Sequence, residues 1–297
     1  MTADYPTTLD VLCPQTVPLG EGPPTREELV VYYPAKFTWK QLKTFVNSGD
    51  LGSLKRDKKL QQRYERWAGG IKEQYGSMAN YLRSYRLQWG RVDTLSKLPS
   101  RLFSPVTTVS SDVDYSVVTL LDSGLPPIPS GTKPYFTADT PSQLVSIIMN
   151  DWPYSVPSFI EHYLIWTVMP ILPPNLPPLI EPRLLQDGLW GFTGYPANSP
   201  PPSPSQLLAC LPALTDWGIT EASLIRSTRG TEEEETAVRE AGSEVHRFIV
   251  ATWKELEWET AWFVNPPRLQ SVPSLAHIHV FARYKSLPDI ETTRRSH

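Results

Sequence analysis

Residues 265–283 read NPPRLQSVPSLAHIHVFAR, and this stretch decides the fold. Side chains on a strand alternate between its two faces. A strand over 276–284 (AHIHVFARY) therefore places His277, His279 and Phe281 on one face and Ile278, Val280 and Ala282 on the other. The aliphatic face is expected to meet a core. The histidine face is expected to look into a cleft or towards a neighbouring element. The chain holds five histidines, so two of them one residue apart mark the first place to look for chemistry.

Working outward, WETAWFVN (258–265) alternates as a second strand. Before it, residues 231–256 carry the strongest helical pattern of the chain. Acidic residues crowd its first turn, where they complement the helix dipole. Val238, Ala241, Val245, Phe248, Ile249 and Trp253 form its buried stripe. Further upstream, QLVSIIMND (143–151) and EHYLIWTV (161–168) are β-branched and apolar. A loop containing Pro153 and Pro157 joins them, so they are expected to pair as neighbours. The order strand, strand, long helix, strand, strand predicts an α+β fold, with an antiparallel sheet and helices to one side.

The N-terminal part reads differently. Residues 1–34 contain six prolines and are expected to form an extended arm. Residues 35–100 form a helical unit. Thr38 is a plausible N-cap for a helix burying Trp39, Leu42, Phe45 and Val46. Leu60, Tyr64, Trp67, Ile71 and Tyr75 make a second amphipathic stripe, and Met78 to Trp89, capped by Ser77, a third. The aromatic stripe reads as core packing. With no flexible linker after it, the unit is expected to pack over the sheet domain, residues 101–285. SVVTLL (116–121) is a possible strand. The proline-rich stretch 170–204 reads as an insertion without regular structure, a stiff connector whose residues 173–203 are expected to be dispensable. Residues 205–230 suit short helices and loop, and 286–297 a tail.

The 297 residues are 40% hydrophobic and 20% charged, enough to bury a core without staples. No apolar run approaches a membrane span, no secretory signal opens the chain, and the two cysteines are isolated, so the expected address is the cytosol. The net charge of -3 is unevenly spread: residues 36–101 hold 15 Lys/Arg against 5 Asp/Glu. The expected outcome is solvated helix faces and contact with the acidic remainder, not a nucleic-acid site at Lys55, Arg56, Lys58 and Lys59, since no recognisable nucleic-acid module accompanies them.

A His-x-His strand allows three readings. It can be structural, each ring hydrogen-bonded inside the sheet. It can be a nucleophile and general base for phosphorus chemistry. With His162 or Asp151 as a third ligand it can hold zinc.

The same segment resembles the signature of the histidine-triad superfamily, in which a strand ending in Asn leads through Gln-Ser-Val to His-φ-His-φ-His. IMNDWPYSVPSFIEHYLIWTVMP (148–170) resembles the strand–turn–strand that supplies an acidic residue and a further histidine there. Over most of its length the chain is similar to the fungal N-acetylglucosamine-induced protein family, on WAGGIKEQYGSMANYLRSYRLQW (67–89), NDWPYSVP (150–157) and residues 258–283. These resemblances imply a histidine-triad-like sheet domain and a cytosolic phosphoester enzyme, hydrolase or nucleotidyl transferase. The alternative is a non-catalytic regulatory or ligand-binding protein of the amino-sugar response. Carried over residue by residue, His279 would attack phosphorus, His277 and His162 would orient it, and Ser271 would bond the leaving oxygen. Gln270 and Asn265 would hold phosphate oxygens and Asp151 the ribose hydroxyls. The implied partner is a small phosphate ester or nucleotide, with no cofactor, metal, nucleic acid or membrane, and a homodimer through the long helix is possible. Here Phe281 stands in place of the third histidine, three extra residues precede His277, and Pro266 and Pro267 replace glycines of the phosphate pocket.

Overall fold

The structure is a computed structural model that describes residues 12–103, 119–196, 200–225, 228, 230–286 and 290. Among the described residues five strands form one antiparallel sheet: β1 Val145–Met149, β2 Ile160–Thr167, β3 Leu189–Thr193, β4 Trp258–Val264 and β5 Ala276–Tyr284. Their spatial order is β1-β2-β5-β4-β3. The histidine-bearing β5 is central, with β2 and β4 as its antiparallel neighbours. β1 and β2 pair as the sequence predicts, Val145 opposite Thr167 and Met149 opposite Tyr163.

Both faces of the sheet are covered. On one, Tyr163, Ile165, Trp258, Trp262, Ile278, Val280 and Ala282 pack against Val245, Ile249 and Trp253. These last three come from or follow α8 Ser243–Thr252, which continues α7 Glu232–Ala241. On the other face, Ala261, Phe263 and Phe281 pack against Leu42, Phe45 and Val46 of α2 Trp39–Ser48. Farther along the same face, Ile148, Leu164 and Trp166 meet Ile71, Tyr81 and Leu82, from α3 Lys58–Tyr75, α4 Met78–Tyr81 and the π-helical turn that follows it. The helical unit thus lies on the histidine face, and the face the sequence left between cleft and neighbour is closed by a neighbour. Thr38 and Ser77 cap α2 and α4 as expected. The third stripe ends early: the chain leaves the helix at Leu87, and Trp89 packs from the following loop.

Three expectations are corrected. The arm is not wholly extended: α1 Arg26–Tyr32 starts at a capping box of Thr25 and Glu28. Pro23 and Pro24 precede the helix instead of interrupting it, and the buried Glu28 meets Arg63 of α3 at 3.0 Å. The proline-rich stretch holds α5 Glu181–Asp187, with a proline in its first turn where no N–H is lost, and then the edge strand β3. Between Pro182 and Pro196 the chain has no proline, and it uses that window to complete the sheet. The long helix breaks at Gly242, where a Cβ would stand 3.0 Å from the Trp262 ring, so the glycine lets helix and sheet approach. Of the possible strand 116–121, residues 116–118 lie outside the described residues and 119–121 are not in a strand.

The uneven charge is absorbed internally. Lys43 meets Glu259 at 2.6 Å, Arg86 meets Asp151 at 2.6 Å, and Lys36 pairs with Asp216. Among the described residues no helix is long and apolar enough to cross a membrane.

Candidate functional site

Register decides what surrounds the histidines. Trp166 lies opposite His277, Leu164 and Phe263 flank His279, and His162 lies opposite Phe281. All share the face under the helical unit. His162, His277 and His279 are 1%, 6% and 5% exposed, so all three rings are buried. Phe263 stacks on His279 with centroids 4.6 Å apart and planes 5° from parallel. Tyr154, from the turn between β1 and β2, lies parallel to it at 5.7 Å. The His277 ring sits 4.4 Å from Trp166 and 5.2 Å from His279.

The hydrogen bonds fix the tautomers. The backbone N–H of Tyr154 donates to His162 Nδ1 over 3.3 Å, and the Asn150 amide lies 3.4 Å from the same nitrogen. A backbone amide can only donate, so Nδ1 accepts and the proton of neutral His162 is on Nε2. That proton points at His279 Nδ1, 3.0 Å away. His279 therefore carries its own proton on Nε2, and the Asn265 amide lies 3.2 Å beyond. For this bond the Asn265 amide must turn its oxygen to the ring. Gln270 donates to the Asn265 backbone carbonyl over 3.0 Å and holds the end of β4. His277 is separate: its Nδ1 donates to the carbonyl of Leu275 over 3.2 Å.

Burial is the first cause that drives the pKa values of His162 and His279 well below the usual histidine range. Arg56 adds to it for both, after the neighbouring rings in the case of His279. His277 is lowered by burial against the opposing bond to Leu275. Arg56 donates to the Trp152 carbonyl over 2.8 Å and to Gln61 over 2.9 Å, and stacks 4.6 Å from Tyr64. The phenol of Tyr154 is raised by burial, with Arg56 and Asn265 opposing.

The linkage has a definite sign. A histidine neutral in the fold and protonated at about pH 6.5 when unfolded contributes stability that is full above that pH and is lost as pH falls below it. Three such rings steepen the loss to as much as about 4 kcal/mol per pH unit below about pH 6.5. Urea unfolding at stepped pH checks this; a flat profile between about pH 6.5 and 5 would mean the rings already titrate in the fold.

The structure brings together five of the seven residues singled out from the sequence: His162, His277, His279, Asn265 and Gln270. It leaves two outside. Asp151 is held by Arg86, Nε to Oδ2 at 2.6 Å and Nη2 to Oδ1 at 2.9 Å, and Arg86 also takes Asp93 at 2.9 and 3.0 Å. Burial opposes the charge of Arg86, but the two carboxylates raise its pKa above the ordinary arginine value. Both carboxyl oxygens of Asp151 are thus occupied, and the residue locks the helical unit to β1. Ser271 is exposed and makes no hydrogen bond to the histidines. Replacing Arg86 by Met is expected to destabilise the fold by about 3–5 kcal/mol, because two carboxylates lose their cation in a buried setting. An unchanged urea midpoint would return Asp151 to the pool of free ligand groups.

Arg56, Tyr154 and Asn150 are the participants that sequence reasoning missed. Tyr154 and Asn150 lie inside the quoted NDWPYSVP, and only the tertiary turn brings them to His162. Arg56 sits in a run of basic residues that reads as surface. The zinc reading finds no support in coordination geometry: among the described residues no three His, Cys, Asp or Glu side chains converge as a metal site.

Residues 38–175 and 224–283 match the family described as protein of unknown function, DUF3605. The chain belongs to the DUF3605 family. The matched segments of this DUF3605 protein contain every residue of the histidine cluster and skip α5 and β3. No curated protein matches it. Among solved structures, the crystal structure of HTC1 is similar over 87% of this chain and 94% of its own, at 18% identity and a TM-score of 0.36.

Proposed function

We propose that this DUF3605 protein is a non-catalytic small-molecule-binding protein whose histidines are architecture. The carrying observation is that both nitrogens of His279 are engaged, by His162 and Asn265, while Phe263 stacks on its ring. An in-line nucleophile needs a free, unprotonated nitrogen facing its substrate. Binding capacity lies next door. A pocket of about 250 Å³ has His162 in its wall and is otherwise mostly apolar, with Leu29, Val30, Tyr33, Val156 and Phe159. The exposed Arg26 and Arg101 also line it, as do Asp57 and Glu161, and Arg101 stands 4.0 Å from Glu161. That chemistry suits a small, mainly apolar ligand. A thermal-shift panel of nucleotides, nucleotide-sugars and small carboxylates tests it, since a ligand of the native state raises Tm by mass action. Val30 is exposed, so Val30→Trp is expected to fill the pocket and abolish the shift without unfolding the chain. A shift that survives this substitution would place the ligand elsewhere.

A second reading keeps the phosphoester chemistry. What favours it is Arg56, a half-buried guanidinium that makes no ion pair among the described residues, though Glu65 acts on it from farther off, and whose charge reaches His162 and His279. In that reading a phosphate displaces the Tyr154 turn, Asn265 releases His279, and Arg56 meets the phosphate. Turnover of any nucleotide in the panel, lost in His279→Ala, would decide for it. Kinship to the histidine-triad superfamily, induction by N-acetylglucosamine, a cytosolic address and a homodimer through α7 and α8 belong to the same proposal. The antiparallel sheet with its histidine face and a helix pair on the opposite face supports the kinship.

A further inference from the structure

A cavity of about 940 Å³ lies away from the histidines at the β3 edge of the sheet. Gly191 and Trp262 line it, with Asn47 and Ser48 from the end of α2. Across from these stand Arg239, Gly242, Ser243 and His246 at the junction of α7 and α8. Arg239 lies in the last turn of α7, and Ser243 and His246 in the first turn of α8.

Charge and hydrogen bonding in the cleft are incomplete. Its two carboxylates are answered by Arg183, which meets Glu235 at 2.7 Å and Asp187 at 3.9 Å. Arg247 pairs with Glu244. Among the described residues, Arg239 bonds the hydroxyl of Thr236, at 2.7 Å, and no other side chain, and the half-buried ring of His246 makes no hydrogen bond. The indole nitrogen of Trp262 is buried without a partner, in a side chain 1% exposed. A Cβ at position 191 would stand 2.7 Å from that nitrogen, so glycine there leaves room for the indole at the β3 edge. A buried donor left unpaired costs about 1–3 kcal/mol, which a ligand oxygen would recover. Tyr195, 41% exposed, lines the cleft, and Trp190 and Phe192, both half-exposed, line it from the α2 face of the sheet, round the β3 edge from Trp262.

We propose that this cleft binds a phosphate monoester carried on a planar body. Arg239, His246 and Ser243 take the phosphate oxygens, the Trp262 N–H donates to the ligand, and the planar body turns round the β3 edge onto Tyr195, Trp190 and Phe192. Several donors from different directions suit a phosphate with three terminal oxygens better than a carboxylate with two. The site is independent of the pocket beside His162, so either can fail without the other.

Calorimetric titration of the full chain with phenyl phosphate, inorganic phosphate and benzoate tests the assignment. Phenyl phosphate is expected to saturate in the millimolar range or below, about tenfold tighter than inorganic phosphate or benzoate. Arg239→Ala should weaken it about tenfold and His246→Gln severalfold, while Arg91→Ala, on a distant exposed residue, leaves it unchanged. Arg239 is exposed, so the fold should persist, and a near-ultraviolet spectrum like that of the parent confirms it. Absence of saturation, equal affinity for benzoate, or binding indifferent to Arg239→Ala in folded protein would each overturn the proposal.

Discussion

Deletion of residues 173–203 is expected to leave no folded protein. Composition alone argues the reverse, since proline-dense loops tolerate large changes in length. The segment nevertheless contains α5 and β3. Ile180, Leu184 and Leu189 are 1–2% exposed and sit in the principal core with Trp262 and Val264. Trp190 and Phe192 pack into the second core beside Phe45 and Phe263. Emptying one large aliphatic core position costs about 2–5 kcal/mol, and three together meet or exceed the whole stability of an ordinary domain, about 5–15 kcal/mol. The deletion also strips one of its two partner strands from β4, all seven of whose residues are buried. Far-ultraviolet circular dichroism and solubility of the deletion variant measure this. A soluble product with the parent spectrum would mean that β3 is an accessory edge.

The second large effect is at His279. Its replacement by Ala is expected to destabilise the protein by about 3–5 kcal/mol. The substitution leaves the Nε2–H of His162 and the amide of Asn265 facing a void, and removes the ring stacked on Phe263. His277→Ala should cost less, about 1–3 kcal/mol, because its one hydrogen bond goes to a carbonyl two residues away. Urea midpoints of the two variants against the parent rank them. A nucleophile outside the tight core would give a loss within about 1–2 kcal/mol for His279→Ala, together with lost turnover.

Period and capping made much of this fold legible. The two-residue alternation of AHIHVFARY gave β5 to the residue, and the steps from Leu60 to Tyr75 gave α3 within a few residues of its ends. Thr38 and Ser77 announced the caps that form. Sequence failed where composition stood in for position. Prolines dominated the reading of 170–204 and hid the proline-free window in which β3 forms. Six prolines likewise hid α1, although Thr25 and Glu28 carry the capping-box spacing. The helix break at Gly242 depends on Trp262, a contact across the fold that no local pattern contains. For the site, residue type and strand face brought the histidines together correctly. What they could not supply is the cover. Whether a polar face is a cleft or an interior depends on where the helical unit docks, and that rests on long-range contacts such as Phe45 on Phe263 and Arg86 on Asp151.

The central claim is that His162 and His279 are neutral, with the proton on Nε2 of each, and sealed within the core. Long-range ¹H–¹⁵N spectra of the imidazole rings, recorded as pH is lowered, test it most directly. The account predicts Nε2–H tautomers for both rings and no titration as the pH falls through the ordinary histidine range while the protein stays folded. Protonation of either ring near pH 6.5 in the folded protein, or a His279 ring with Nε2 bare and its proton on Nδ1, would contradict it.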